Sequence, residues 1–174
     1  MTDAQTADPV LHSEPLTADA FAPWGDVLEA AGAPDKLINE GMCGRYHNRA
    51  RLDIIDGQQP SEAGQAGISL FQAKLRALPF RLTMVERHPL GSQAFLPMSE
   101  SRFLVVVADD RDGVPVNFRA FLTRPGQGVN LGRNVWHGVL CPLDGSGLFA
   151  VIDRVGEGVN LEERWLDQPI LIPE

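Results

Sequence analysis

At 174 residues, 44% hydrophobic and 22% charged, the chain has the size and composition of one soluble globular unit with a substantial core. Lys and Arg total 15 against 23 Asp and Glu, a formal net charge of −8, which argues against the basic face that nucleic acid or an anionic membrane would need. Cys43 and Cys141 are too few for a disulfide framework and read as thiols in a reducing compartment.

The first 14 residues are polar and patternless, predicting a flexible arm ahead of a single domain over residues 15–174. They lack the basic start, apolar run and cleavage site of a signal peptide. No apolar stretch approaches the ~20 residues that span a bilayer, so the cytoplasm is the expected location. Thr17 reads as the N-cap of a short helix over "ADAFAPW". Beyond about Asp26, three–four apolar spacing disappears. Short runs of strand character follow: "GRYHNRARLDII", "GISLFQAKL", "FRLTMVERH", "SQAFLPM", "RFLVVVA", "FRAFLTR", "NVWHGVL" and "LFAVIDRV". Gly, Pro, Asn and Asp turns separate them, and many short strands in succession predict an all-β sandwich or barrel. The tail "NLEERWLDQPILIP" packs either on this barrel or on a neighbouring subunit.

Strand alternation singles out a group of polar residues. In "FRLTMVERH", period two places Phe80, Leu82 and Met84 on one face, continued by Glu86 and His88. The opposite face carries Arg81, Thr83, Val85 and Arg87, so the first face is expected to point inward. Gln93 shares a face with Phe95 on the next run. His137 sits between Val135 and Val139, after the Pro125-Gly126 turn and Gly128. A buried carboxylate costs several kcal/mol unless a proton, cation or metal neutralises it. A single histidine on an apolar face is more often a hydrogen-bonded core residue. Glu86 and His88 together are harder to satisfy structurally and point to a site. Arg87 is expected in a surface ion pair, and Asp53 and Asp153 read as turn or surface groups.

Two such hairpins resemble the cupin superfamily, in which the first carries His-x-His and a downstream Glu, and the second a Pro-x-Gly turn and a His. Here Glu86 replaces the first histidine, Gln93 the glutamate, and the turn is Pro-Gly-x-Gly. The strings "FAPWGDV", "RYHNRA", "ISLFQAK", "ERHPLGSQAFLP", "FLVVVA", "GQGVN", "VWH" and "VIDR", in this order, resemble the ureidoglycolate lyase family, formerly called ureidoglycolate hydrolase. The chain departs from it with "YHN" for Tyr-His-Asp and "WHG" for Trp-His-His.

The resemblance implies an all-β, cupin-like double-stranded β-helix barrel with a short N-terminal helix. It implies cleavage of ureidoglycolate to glyoxylate and urea in allantoin and purine catabolism, a divalent metal, nickel in particular, and a homodimer. On that basis His88, His137 and Glu86 are the candidates for proton transfer. Glu86, His88, Gln93 and His137 are the candidate metal ligands, and Gln93 a substrate hydrogen-bonding group. Arg45, Arg51 and Lys74, in family-like segments, are candidates for the substrate carboxylate, and His47 could join them. Another metal-dependent cupin enzyme, or a non-catalytic cupin binding a small acid, stays open as an alternative.

Overall fold

Thr17 accepts a hydrogen bond from Ala20 N at 3.3 Å and caps α1, Ala18–Phe21. Pro23 has no N–H to extend the turn, so the helix stays at four residues. In the computed structural model, which describes residues 7–173, every other regular element is a strand. In chain order these are β1 (Ser13–Pro15), β2 (Gly25–Leu28), β3 (Lys36–Ile38), β4 (Cys43–Arg45) and β5 (Gln65–Gln72). There follow β6 (Phe80–Arg87), β7 (Gln93–Pro97), β8 (Phe103–Arg111), β9 (Val114–Leu122) and β10 (Gly128–Leu131). The last are β11 (Trp136–Gly138), β12 (Cys141–Pro142), β13 (Leu148–Val155) and β14 (Glu162–Ile172). No helix among the described residues is long and apolar enough to cross a membrane.

A seven-stranded sheet runs β1-β9-β8-β11-β6-β14, with β12 beside β8, and a five-stranded sheet runs β2-β10-β7-β13-β5. Val105, Val107 and Phe121 from the first meet Phe95, Val129 and Phe149 from the second in one buried cluster. Phe103 packs edge-on against Phe149 at 5.1 Å. Two largely antiparallel sheets closing on this interior make the expected cupin-like barrel. Leu104, Val106 and Trp136 alternate with the inward residues and form a second cluster on the outer face of the seven-stranded sheet.

Two expectations need correction, and one left open is decided. Part of the arm is tied down: Leu11 N donates to Leu171 O, Leu171 N to Pro9 O, and Ser13–Pro15 pairs in parallel with β9. Residues 1–6 lie outside the described residues. In "GRYHNRARLDII" only Cys43–Arg45 is a strand, pairing with β3 in a separate hairpin, because the rest finds no continuous partner. The tail, which the sequence leaves between this barrel and a neighbouring subunit, packs on the barrel as β14, the edge strand beside β6.

The alternation of β6 also departs from strict period two. Leu82 and Val85, three residues apart, both pack in the outer cluster. At that point the β14 pairing slips, with Met84 opposite Trp165 but Leu82 opposite Ile170. Leu82 therefore faces outward, not along with Glu86 as the pattern implies, and an irregularity of the β-bulge type re-aims the following residues.

Candidate active site

Glu86 on β6 lies opposite His137 on β11 in antiparallel register. Trp136 packs outward, so its neighbour His137 turns inward, and a directly opposed residue leaves the sheet on the same side. His88 follows immediately after β6. One potential ligand atom from each of Glu86, His88 and His137 lies within 4.8 Å of the others, and the two imidazole centroids are 5.4 Å apart.

Backbone carbonyls fix both imidazoles. His88 Nδ1 lies 2.7 Å from Asn160 O, and His137 Nδ1 lies 3.0 Å from Gly138 O. A carbonyl oxygen can only accept, so each Nδ1 carries a proton, and each Nε2 presents a lone pair whenever its ring is neutral. Both Nε2 atoms are buried without a partner. Asn160 holds the same turn a second time, its Oδ1 accepting from Leu90 N at 2.7 Å.

His137 is 3% exposed. Burial is the main force on its acidity and pushes the pKa down to about 4; the nearby charge of His88 pushes the same way, and the Gly138 carbonyl opposes them. It is neutral at pH 7. Burial raises the Glu86 carboxyl above its ordinary value, His88 pulls it back, and Glu163, opposite it on β14, raises it further. Beside His137 a cavity of ≈20 Å³, bordered by Phe95, Val129 and Leu131, has room for about one water. The floor of this cavity is largely apolar.

Two imidazole lone pairs and a carboxylate, with Nδ1–H groups already committed to carbonyls, form a donor set that suits a first-row divalent metal. Leaving such lone pairs buried and empty costs roughly 1–3 kcal/mol each, which a bound cation would relieve. The residues fit the group.

The other sequence candidates divide. Gln93 is buried and belongs to the opposite sheet, where its Nε2 donates to Asp153 Oδ2 at 3.1 Å and its Oε1 has no partner. Asp153 is thus not the turn or surface group its sequence context suggests. Its signal is in the sequence: Phe149, Val151 and Asp153 alternate as Met84 and Glu86 do, ending an inward apolar face in a carboxylate. Asn160, which acts largely through its carbonyl, leaves no signal. Arg45 and His47 are exposed and bond to each other at 2.7 Å. Arg51 is exposed, its carbonyl accepting from Asn130, and Lys74 is exposed beyond β5. Among the described residues no Lys or Arg forms an ion pair with Glu86. Arg87 pairs with Asp110 and Glu162 at 2.8 and 2.6 Å while covering Trp136, a brace behind the site with a side chain only 12% exposed.

The family model described as ureidoglycolate lyase matches residues 8–173. The chain belongs to the ureidoglycolate lyase family. It is 60% identical over 162 residues to a ureidoglycolate lyase of Rhodobacter capsulatus, covering 93% of this chain and 97% of that one. It is 48% identical over 164 residues to a ureidoglycolate lyase of Chelativorans, covering 93% and 96%. It is 48% identical over 159 residues to ureidoglycolate lyase 2 of Rhizobium meliloti, covering 91% and 94%. As a ureidoglycolate lyase family member it carries the Glu86, His88 and His137 cluster inside a stretch that the family model spans end to end.

Proposed function

We propose that the protein is a ureidoglycolate lyase of the cupin superfamily, cleaving ureidoglycolate to glyoxylate and urea. The observation that carries this reading is the convergence of Glu86, His88 and His137, with both Nε2 lone pairs free, inside a chain of this family.

The substrate carbon bears a hydroxyl, a carboxylate and the ureido nitrogen. As its C–N bond breaks the hydroxyl becomes a carbonyl, so one proton leaves oxygen and one must reach nitrogen. Glu86, whose carboxyl binds a proton more readily than usual, can take the proton from oxygen and hand the same proton on to the departing nitrogen; the His88 lone pair can play this part only while it holds no metal. His137 stays neutral and serves as a fixed lone pair. Glu86, His88 and His137 would hold a divalent metal, nickel by resemblance, with Gln93 as a further oxygen donor or a substrate contact. Such a metal, when bound, polarises the hydroxyl and carboxylate oxygens and eases loss of the proton. Since no described Lys or Arg is paired to Glu86, a metal would also supply the positive charge a carboxylate needs. Arg45, Arg51, Lys74 and His47 would act only if their exposed segments closed over the site.

Cytoplasmic residence and a homodimer go with this reading. The outer face of the five-stranded sheet supports the dimer. Leu70, Ala150 and Leu96 lie in one cross-strand row, and Ile68, Ile152 and Ala94 in the next. Ile68 is 78% and Leu70 65% exposed, an apolar surface that a second copy would cover.

The test is direct. Purified protein, with and without added divalent metal, is given racemic ureidoglycolate, and glyoxylate and urea are measured against the spontaneous rate. Release no faster than that rate would end the lyase reading.

A further inference from the structure

We propose that Asp153 fixes which way round the Gln93 amide sits, and that the oxygen so presented recognises the N–H groups of the substrate's ureido end. This rests on the lyase reading above.

Gln93 opens β7, is 6% exposed, and lies opposite Leu131 of the buried interior, so its side chain enters the space between the sheets. The two ends of an amide have nearly the same shape, and their partners decide the orientation. A carboxylate accepts and does not donate, so Asp153 Oδ2, 3.1 Å away, holds the amide nitrogen. Oε1 is thereby turned the other way, where it is buried and finds no partner within the protein.

An unpaired buried acceptor is satisfied by a ligand that brings a donor, and it penalises one that does not. Ureidoglycolate has two chemically distinct ends. Its hydroxy-acid end offers oxygens, which suit the Glu86, His88 and His137 cluster on the seven-stranded sheet. Its ureido end offers N–H donors, which suit the Gln93 oxygen on the five-stranded sheet. The molecule is therefore held between the sheets with its urea portion toward β7. Asp153 is a positioning residue here, since it acts through Gln93 and needs no contact with the substrate.

The experiment compares Asp153→Asn and Gln93→Met with the parent protein, using two stable probes as competitive inhibitors. Oxalurate keeps the ureido N–H groups; tartronate keeps the hydroxy-acid end and has no N–H. The amide introduced by Asp153→Asn can donate as well as accept, which frees the Gln93 amide to flip, and Gln93→Met removes the acceptor outright. Both variants should weaken oxalurate inhibition and raise KM for ureidoglycolate about ten-fold or more, leave tartronate inhibition unchanged, and lower kcat by less than KM rises. Equal weakening of both probes, or no weakening of oxalurate, overturns the proposal. If Asp153→Asn loses its fold by circular dichroism, Gln93→Met carries the test with the same outcomes. If the parent cleaves no ureidoglycolate the lyase reading fails separately, and the two probes, measured by calorimetry, still decide whether the amide oxygen selects for N–H donors.

Discussion

Glu86 and His137 stand directly opposite each other on antiparallel β6 and β11, with their side chains on the inward face. Neither residue has the other as a sequence neighbour, and only strand pairing brings a carboxylate against a buried, neutral imidazole.

Replacing His88 or His137 by Ala is expected to cut ureidoglycolate cleavage about a hundred-fold or more, because each removes a lone pair from the reacting space. Circular dichroism should show the sheets intact. Parent-like turnover in either variant would take that residue out of the site.

Metal content is checked by elemental analysis of protein purified without a metal-affinity tag. About one divalent ion per chain is expected, and Glu86→Gln and His137→Ala should hold it at least ten-fold more weakly. Metal-free protein with full activity in the presence of a chelator would contradict the metal assignment.

Acid stability gives a prediction away from the site. The Arg102 backbone N–H, at 2.6 Å, holds the Asp144 carboxyl below its usual range, and the Arg102 guanidinium, also at 2.6 Å, adds to this. A carboxyl with a depressed native pKa stabilises the fold above its unfolded value, and that contribution fades as the pH falls through the native one. Asp144→Asn should thus unfold at lower urea than the parent at pH 7, with the gap closing as the pH drops below the ordinary carboxylate range. A gap that persists unchanged at low pH would mean the carboxylate charge is not what matters.

The oligomeric state responds to the outer sheet face. Leu70→Arg places a charge in the exposed apolar row beside Ala150 and is expected to give monomers in sedimentation, while leaving the interior cluster untouched. Dimers of unchanged strength would move the interface elsewhere.

The site is legible where it depends on alternation within a strand. His137 between two valines can be aimed from the sequence alone, whereas the inward aim of Glu86 holds although Phe80 and Leu82, earlier in the run, pack on the outer face. Asp153 obeys the same rule, yet a lone aspartate near a turn looks solvated and hides among many that are. What the sequence conceals depends on distant pairing. The carbonyls of Asn160 and Gly138 that set the imidazole tautomers carry no side-chain signature. "GRYHNRARLDII" has strand-like composition, yet a strand exists only where another offers its hydrogen bonds, and most of that run is offered none. The Leu82 face misleads for a related reason: the slip that turns it outward is a property of β6 and β14 together.

That slip gives the C-terminal segment an unexpected importance. Residues 162–172 hold none of the three proposed reactive groups, yet Glu163 raises the Glu86 carboxyl and the strand flanks the point at which β6 swaps faces just ahead of that glutamate. Trimming the last strand, or fusing a bulky tag that peels it away, would leave every reactive side chain in the polypeptide while freeing one to swing out toward solvent. The end of the chain would then govern activity from outside the reactive cluster.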